Sequence, residues 1–163
     1  MQVNPGLYKV AWAHPEFGQQ IAVAYDRTVC IFEELCHNSK GVQQPGWTKR
    51  VPSFTDSRST ITDIKFAPKQ LGLKLIATTA SGEARIYECN DSIPNGSTWS
   101  IEQEIKTNMD SCSSCSWSTC LTLPVLLAFG CDSNHTMNKL AIFEYKENNS
   151  NQLRFVVELN FIE

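Results

Sequence analysis

The apolar positions of this 163-residue chain fall into one short pattern repeated three times. Val10-Ala11-Trp12, Ile64-Lys65-Phe66 and Cys115-Ser116-Trp117 share an apolar–x–aromatic spacing, with the aromatic residues 54 and then 51 positions apart. Farther along, Ile31-Phe32-Glu33, Ile86-Tyr87-Glu88 and Ile142-Phe143-Glu144 recur at intervals of 55 and 56. Two separate signals with nearly one period mark an internal repeat, which governs how every segment is read. Between them each copy carries a short apolar run: 21–24, 75–78 and 125–130. After the Ile-aromatic-Glu element come a polar loop and a further alternating stretch: 47–51, 99–105 and 153–159. Alternation with period two, bounded by turn residues, predicts four strands per unit. The segment 99–105 also fits a short helix, since Ile101 and Ile105 stand four apart. Trp99, Ile101 and Ile105 fit period two as well, and the repeat favours the strand.

The connections carry turn chemistry: His14-Pro15-Glu16-Phe17-Gly18, Ala80-Ser81-Gly82, 90–96 and 148–151. Nothing reads as a long amphipathic helix. Four-stranded units of about 40 to 50 residues with an aromatic closing the third strand predict an all-β propeller of three blades, at 7–51, 61–105 and 111–159. The period is long because the stretches 34–46 and 89–98 read as long loops before the outer strands. A blade cannot bury both faces alone, so neighbours stack. Val10, Ile31, Ile64, Ile86 and Ile142 are the expected blade-to-blade positions. A ring closes with four blades or more, so this propeller is incomplete. Each end of the stack should present an apolar face of several hundred Å², a size that marks an interaction surface.

Composition narrows the function. The formal net charge is −3, and Lys49, Arg50, Lys65, Lys69, Lys74 and Arg85 are scattered rather than aligned, which disfavours direct nucleic-acid binding. No run reaches the 18 apolar residues of a membrane helix, so no membrane insertion is expected, and Met1–Asn4 lacks a signal-peptide pattern. Seven cysteines, an odd number in a chain of this size, suit a reducing cytosolic or nuclear compartment. Asn-x-Ser/Thr sequons begin at Asn90, Asn95, Asn134 and Asn148 and read as polar loops.

The sharpest chemical alternative is a zinc or redox site built from Cys112, Cys115, Cys120, Cys131 and His135, all zinc-ligand types. Cys112 and Cys115 are expected inside the first strand of the third blade, where residues three apart point to opposite faces. Small buried thiols are therefore the favoured reading. No basic neighbour lowers a thiol pKa for redox sensing. His14, His37 and His135 accompany no Gly-x-Ser-x-Gly elbow, paired-carboxylate motif or phosphate-cradling loop, so no enzyme activity, cofactor, metal or catalytic residue is expected. His14 reads as a turn residue. Asp26, in the tight turn Asp26-Arg27-Thr28, is expected to lock that turn by accepting backbone amides. Ser81-Gly82 replaces it in the second blade.

The stretch from Lys9 to Gln19 (KVAWAHPEFGQ) with Tyr25-Asp26-Arg27-Thr28 resembles the second blade of Sec-thirteen-type WD-repeat proteins. Asp56-Ser57-Arg58, the segment 62–69 (TDIKFAPK), Arg85-Ile86-Tyr87-Glu88, Trp99-Ser100 and Ile142-Phe143-Glu144-Tyr145 are similar to the nucleoporin branch rather than to the coat branch. The resemblance runs from about Leu7 to Leu159. It implies an open six-bladed WD-repeat propeller that takes a blade from a helical-solenoid nucleoporin and scaffolds the Y-shaped complex of the nuclear pore's outer ring, supporting mRNA and protein transport. It further implies a role with GATOR subunits in amino-acid signalling to TORC, and places at the nuclear envelope, the lysosomal surface and the kinetochore. Donated strands bind by β-augmentation. The alternative within the family is a vesicle-coat (COPII-type) subunit. No partner-contact residue carries over, because the family's first and last blades lie outside the match. Strand 21–25 is one residue shorter than the family pattern, and a slip there would swap its faces. The approach 118–124 is compressed. A partial gene product, a splice product and a divergent paralogue all fit these departures. The isolated chain should be poorly soluble or oligomeric.

Overall fold

A computed structural model describes residues 9–39, 42–50, 53–90, 98–120, 124–133, 139–145 and 154–159, with backbone alone at 35–39, 42–45 and 154–159. The described residues form β1 (Lys9–Trp12), β2 (Gln20–Tyr25), β3 (Thr28–Ser39), β4 (Val42–Lys49), β5 (Ile61–Phe66), β6 (Lys74–Thr79), β7 (Glu83–Asn90), β8 (Thr98–Lys106), β9 (Ser114–Trp117), β10 (Val125–Gly130), β11 (Leu140–Tyr145) and β12 (Arg154–Leu159). Short 3-10 turns at Pro15–Phe17 and Lys69–Leu71 follow β1 and β5. The strands pair as three antiparallel meanders, β1 to β4, β5 to β8 and β9 to β12. The fold is an incomplete WD-repeat β-propeller of three four-stranded blades. Trp99 to Ile105 lies in a strand, as the repeat favours.

The sheets stack, and β5 sits beside both β1 and β9. Between the first and second sheets lie Ala22, Ala24, Val29 and Ile31 with Ile64, Leu75, Ala77, Tyr87 and Trp99. Between the second and third lie Ile76, Ala84, Ile86 and Ile105 with Cys115, Trp117, Leu127, Phe129, Ala141 and Phe143. Burial follows from position in the stack. Every residue of the middle strand β6 is buried, whereas β2 and β11 alternate buried and half-buried. A sheet covered on both sides buries both sets of side chains; a sheet covered on one side buries every second residue. Each fully buried Ile or Leu contributes about 1.5–3 kcal/mol.

Ile31, Ile64 and Ile86 are buried between blades as expected. Val10 and Ile142 are not: Val10 is 52% exposed and Ile142 half-buried. Each faces outward from an end sheet, where no neighbouring blade of this chain covers it. The stretch 34–46, expected as a loop, continues β3 and β4 as a hairpin, paired from Phe32↔Lys49 to Ser39↔Val42. Backbone pairing needs no apolar side chain, and Pro45 is tolerated because β4 is an edge strand. Cys89 and Asn90 likewise pair with Trp99 and Thr98; 91–97 lie outside the described residues. The shortened β2 has not slipped, since Ala22 pairs with both Ala11 and Ile31 and stays inward. In β8 a bulge sets Ile86 opposite Gln103 and Tyr87 opposite Ile101, leaving Glu102 between. That extra residue flips the faces, so Trp99 joins one apolar layer, Ile105 the other, and Ile101 is 44% exposed.

Candidate interaction surface: the two open blade faces

The outer face of the first sheet is built by cross-strand register. Trp12 pairs with Ile21 and Ile21 with Phe32; in the next row Val10 pairs with Val23 and Val23 with Cys30. Trp47, opposite Glu34 on β4, closes edge-to-face on Trp12 at 5.8 Å. These two indoles are 57% and 48% exposed for Trp12 and Trp47. Their counterparts in the second blade, Phe66 and Trp99, also meet edge-to-face, at 6.4 Å, but are packed into the layer against the first sheet. One aromatic pair thus seals a blade interface in the second unit and stands open in the first.

At the other end, Leu126, Ala128 and Ile142 lie across β10 and β11 on the outward side of the third sheet. With Ser116, Trp117 and Ser118 they line a groove of about 220 Å³. The indole N–H of Trp117 is buried and has no acceptor among the described residues. A second hollow, of about 380 Å³, lies near the innermost strands, lined by His14, Lys65, Lys69, Trp117 and Thr119 among others. Its cations are engaged: Lys69 meets Glu16 at 3.2 Å and Lys65 meets Asp63 at 3.6 Å.

Polar groups tie strands together within the second blade and join it to its neighbours. The buried Asp63 carboxylate accepts from the backbone N–H of Ile64 at 3.0 Å and of Cys115, in the next blade, at 3.1 Å. The Thr62 hydroxyl donates to the Cys112 carbonyl. Lys74 donates to Glu88 at 2.8 Å and Glu102 at 2.6 Å, and the Tyr145 hydroxyl reaches across to Glu102 at 2.7 Å. Toward the first blade, Phe54 bridges Val29 and stacks on Tyr87 with centroids 4.0 Å apart. The Tyr87 hydroxyl donates to Asp56, which also meets Arg85 at 3.1 Å. Sequence reasoning missed Asp63, Lys74 and Glu102. The one signal for Lys74 is its place between Leu73 and Leu75 in an otherwise apolar run.

Cys112 lies just before β9 rather than inside it, and both it and Cys115 are buried in the same apolar cluster. They were expected on opposite faces of one strand; because Cys112 precedes the strand, the alternation does not apply to it. Their thiols nevertheless have different partners, Thr107 Oγ1 at 3.4 Å and Asp63 Oδ2 at 3.9 Å. Cys120 is exposed and Cys131 half-buried. Among the described residues no three His, Cys, Asp or Glu side chains converge on a metal position; His135 lies outside them. His14 caps the first 3-10 turn, its Nδ1 accepting from Glu16 N–H at 3.2 Å. Asp26 sits at φ 47°, and its carboxylate lies 3.7 Å from Arg27 while its carbonyl accepts from Ile61 N–H at 2.7 Å. The turn is held by left-handed backbone and a main-chain bond to the second blade, where a carboxylate-to-amide lock was expected.

Burial pushes the Cys112 thiol up to about 11 against the pull of the Thr107 hydroxyl. Burial, then the hydrogen bond to Glu102, raises Tyr145 to about 12. Both groups are held neutral in the fold, and a raised folded pKa gives stability that is whole below the unfolded value and lost as pH rises through the folded one. The window therefore opens at 9.0, the ordinary thiol value, and closes near 12. Urea unfolding followed across it should show a loss of about 5 kcal/mol or more, since Cys115 and Tyr87, which burial also raises, add to the same loss. A flat profile would mean that these groups are solvated.

No family model matches the chain. It is similar to the curated proteins named Nucleoporin SEH1 of Bos taurus and of Homo sapiens, at 44% identity over 149 residues and 87% of this chain. The Danio rerio protein of the same name is 42% identical over the same span. The chain covers about two fifths of these relatives' own length, 41% of the bovine and human proteins. Over this span, and in its three stacked four-stranded meanders, the chain is similar to the Sec-thirteen/SEH-type WD-repeat proteins.

Proposed function

We propose that the chain is a non-catalytic scaffold subunit of the nuclear pore's outer-ring complex, acting through its open blade faces. One observation carries this reading: Trp12 and Trp47 stand open on the first blade, while their counterparts pack against the first sheet, Phe66 half-buried and Trp99 buried. Such a face is made to be covered by another polypeptide. The similarity to nucleoporins, at 44% identity, supports the pore as the setting over a vesicle coat. The partners are other nucleoporins of the Y-shaped complex, with a helical-solenoid member supplying strands. The polar chemistry fits a scaffold, because the buried Lys74 and Glu102 pair with each other inside the second blade and Asp63 bonds the backbone of the third, none of them free to act on a substrate. No helix among the described residues is long and apolar enough to cross a membrane. The finer parts of the reading are attachment to GATOR subunits at the lysosomal surface and a place at the kinetochore.

The tagged 163-residue chain, expressed in cells, should recover Y-complex nucleoporins, and Trp12→Glu should reduce that recovery severalfold. Recovery of vesicle-coat subunits without nucleoporins would reject the pore assignment. Recovery of GATOR subunits in addition would support the signalling role.

A further inference from the structure

We propose that the hollow of about 380 Å³ near the innermost strands is a binding site for an acidic peptide, one that sets a carboxylate side chain beside an apolar one. Its walls come from the same place in each repeat, the passage from the innermost strand to the second. His14 stands in the connection after β1, Lys65 to Gln70 at the end of β5 and in the turn that follows, and Ser116, Trp117 and Thr119 at the end of β9 and just past it. The hollow is thus centred on the middle blade and framed by its two neighbours. It does not depend on what covers the two end faces.

The floor is apolar, with Phe66 half-buried and Ala67 and Trp117 buried. Around it stand six exposed groups that can donate a hydrogen bond: His14, Lys65, Lys69, Gln70, Ser116 and Thr119. Among the described residues that line it none is acidic, in a chain whose formal net charge is −3. The Nδ1 of His14 accepts from the Glu16 N–H, which leaves the ring's proton on Nε2 as a donor. The lysines also keep donors in reserve, because an ammonium carries three N–H groups. Lys65 lies 3.6 Å from Asp63, beyond hydrogen-bond distance, and that carboxylate already accepts from the backbone N–H groups of Ile64 and Cys115. Lys69 meets Glu16 at 3.2 Å, but both side chains are more than half exposed. A pair so open to solvent contributes little, and an incoming carboxylate can take the place of Glu16.

Size and lining select the occupant. Ligand pockets of about 300–1,000 Å³ are mostly apolar with a few convergent polar groups, and this hollow has that composition at the small end of the range. A free inorganic anion would use the rim and leave the floor idle. A nucleic acid needs a row of cations for successive phosphates, and two lysines do not make one. A peptide with Asp or Glu at Lys65 and Lys69, and an apolar side chain beside it on Phe66 and Trp117, uses rim and floor together. This inference goes beyond the scaffold reading and does not rest on it. Nucleoporin recovery is read through Trp12 on the open face of the first blade, peptide binding through Lys65 and Lys69, and either can fail alone.

The immobilised 163-residue chain is used to select from a library of random seven-residue peptides displayed on phage. Enriched peptides should carry Asp or Glu next to an apolar residue. Made with a fluorescent label, they should bind saturably in fluorescence polarisation and bind more weakly as salt rises. Lys65→Gln combined with Lys69→Glu should cost about tenfold or more in affinity, the loss expected when charge-assisted hydrogen bonds are removed. Lys65→Gln leaves Asp63 its two backbone bonds, and circular dichroism checks that the strands of the variant remain. Replacing the peptide's acid by its amide should cost as much as the lysine changes. Selection without acidic enrichment, or binding that ignores the lysine variant, would overturn the site. So would displacement of the peptide by an equal concentration of inorganic phosphate, which would mark an adventitious ion only.

Discussion

Replacing Lys74 by methionine is expected to lower the unfolding free energy by about 3–5 kcal/mol, the cost of stranding a buried carboxylate without its cation. The Lys74 side chain is 5% exposed and that of Glu102 is 4% exposed, with 2.6 Å between ammonium and carboxylate. Burial alone would lower the lysine's pKa, but the hydrogen bonds it donates to Glu102 and Glu88 outweigh that and hold the group above its ordinary value. The ammonium is thus charged in the fold, and its loss removes the countercharge that makes burial of Glu102 tolerable. Tyr145 hydrogen-bonds the same carboxylate from the third blade, so the damage should spread to the second blade interface. For a chain of this size the loss corresponds to a fall in Tm of about 10–15 °C. Lys74→Met combined with Glu102→Gln should recover much of it, because an uncharged pair needs no countercharge. If Lys74→Met unfolds at the wild-type temperature, the pair is not buried as described.

The blade repeat was legible in the sequence because every blade faces the same packing problem. Ile31 and Ile86 must meet a neighbouring sheet, and both are fully covered. The same rule explains Val10 and Ile142: they occupy the right positions, but no further sheet among the described residues covers them. Pattern tells which way a side chain faces, while neighbours decide whether it is covered. The hairpin over 34–46 was not legible because its strands are held by backbone pairing, which leaves no apolar signature. The β8 bulge was hidden for a related reason. Trp99, Ile101 and Ile105 fit an unbroken alternation, and only the extra Glu102 divides them between two layers.

The open faces were legible in outline and the polar locks were not. Three blades imply two uncovered ends, and the Trp12–Trp47 pair marks one of them. That Asp63 bonds the backbone of Cys115 cannot be read from either residue alone, since 52 positions separate them. The same holds for Lys74 with Glu102 and Tyr145. The Asp63 and Tyr145 contacts join different blades, and the Lys74–Glu102 contact joins β6 to β8 across the second blade, so all of them arise only once strands distant in sequence are assembled. The first two tie the second blade to the third at points the apolar pattern does not mark.

Gly82→Val should abolish cooperative folding, and Gly82→Ala should cost about 4 kcal/mol or more. Gly82 lies at φ +72°, and a Cβ there would sit 1.9 Å from the Met109 carbonyl oxygen. The turn cannot retreat, because the Gly82 carbonyl accepts from Thr107 through both N–H, at 3.2 Å, and Oγ1, at 2.7 Å. Thr79 braces the other side, its hydroxyl bonding the Glu83 carbonyl at 2.9 Å. Gly72 provides the control. It has φ +81° and ψ −172°, an extended positive-φ conformation that is essentially glycine's own, but nothing within 4 Å of its would-be Cβ, so Gly72→Ala bears only the backbone cost of about 1–3 kcal/mol. Urea unfolding of the two alanine variants side by side separates conformational strain from collision. Equal losses at both positions would show that the close approach between Gly82 and Met109 does not hold the second blade to the segment that leads into the third.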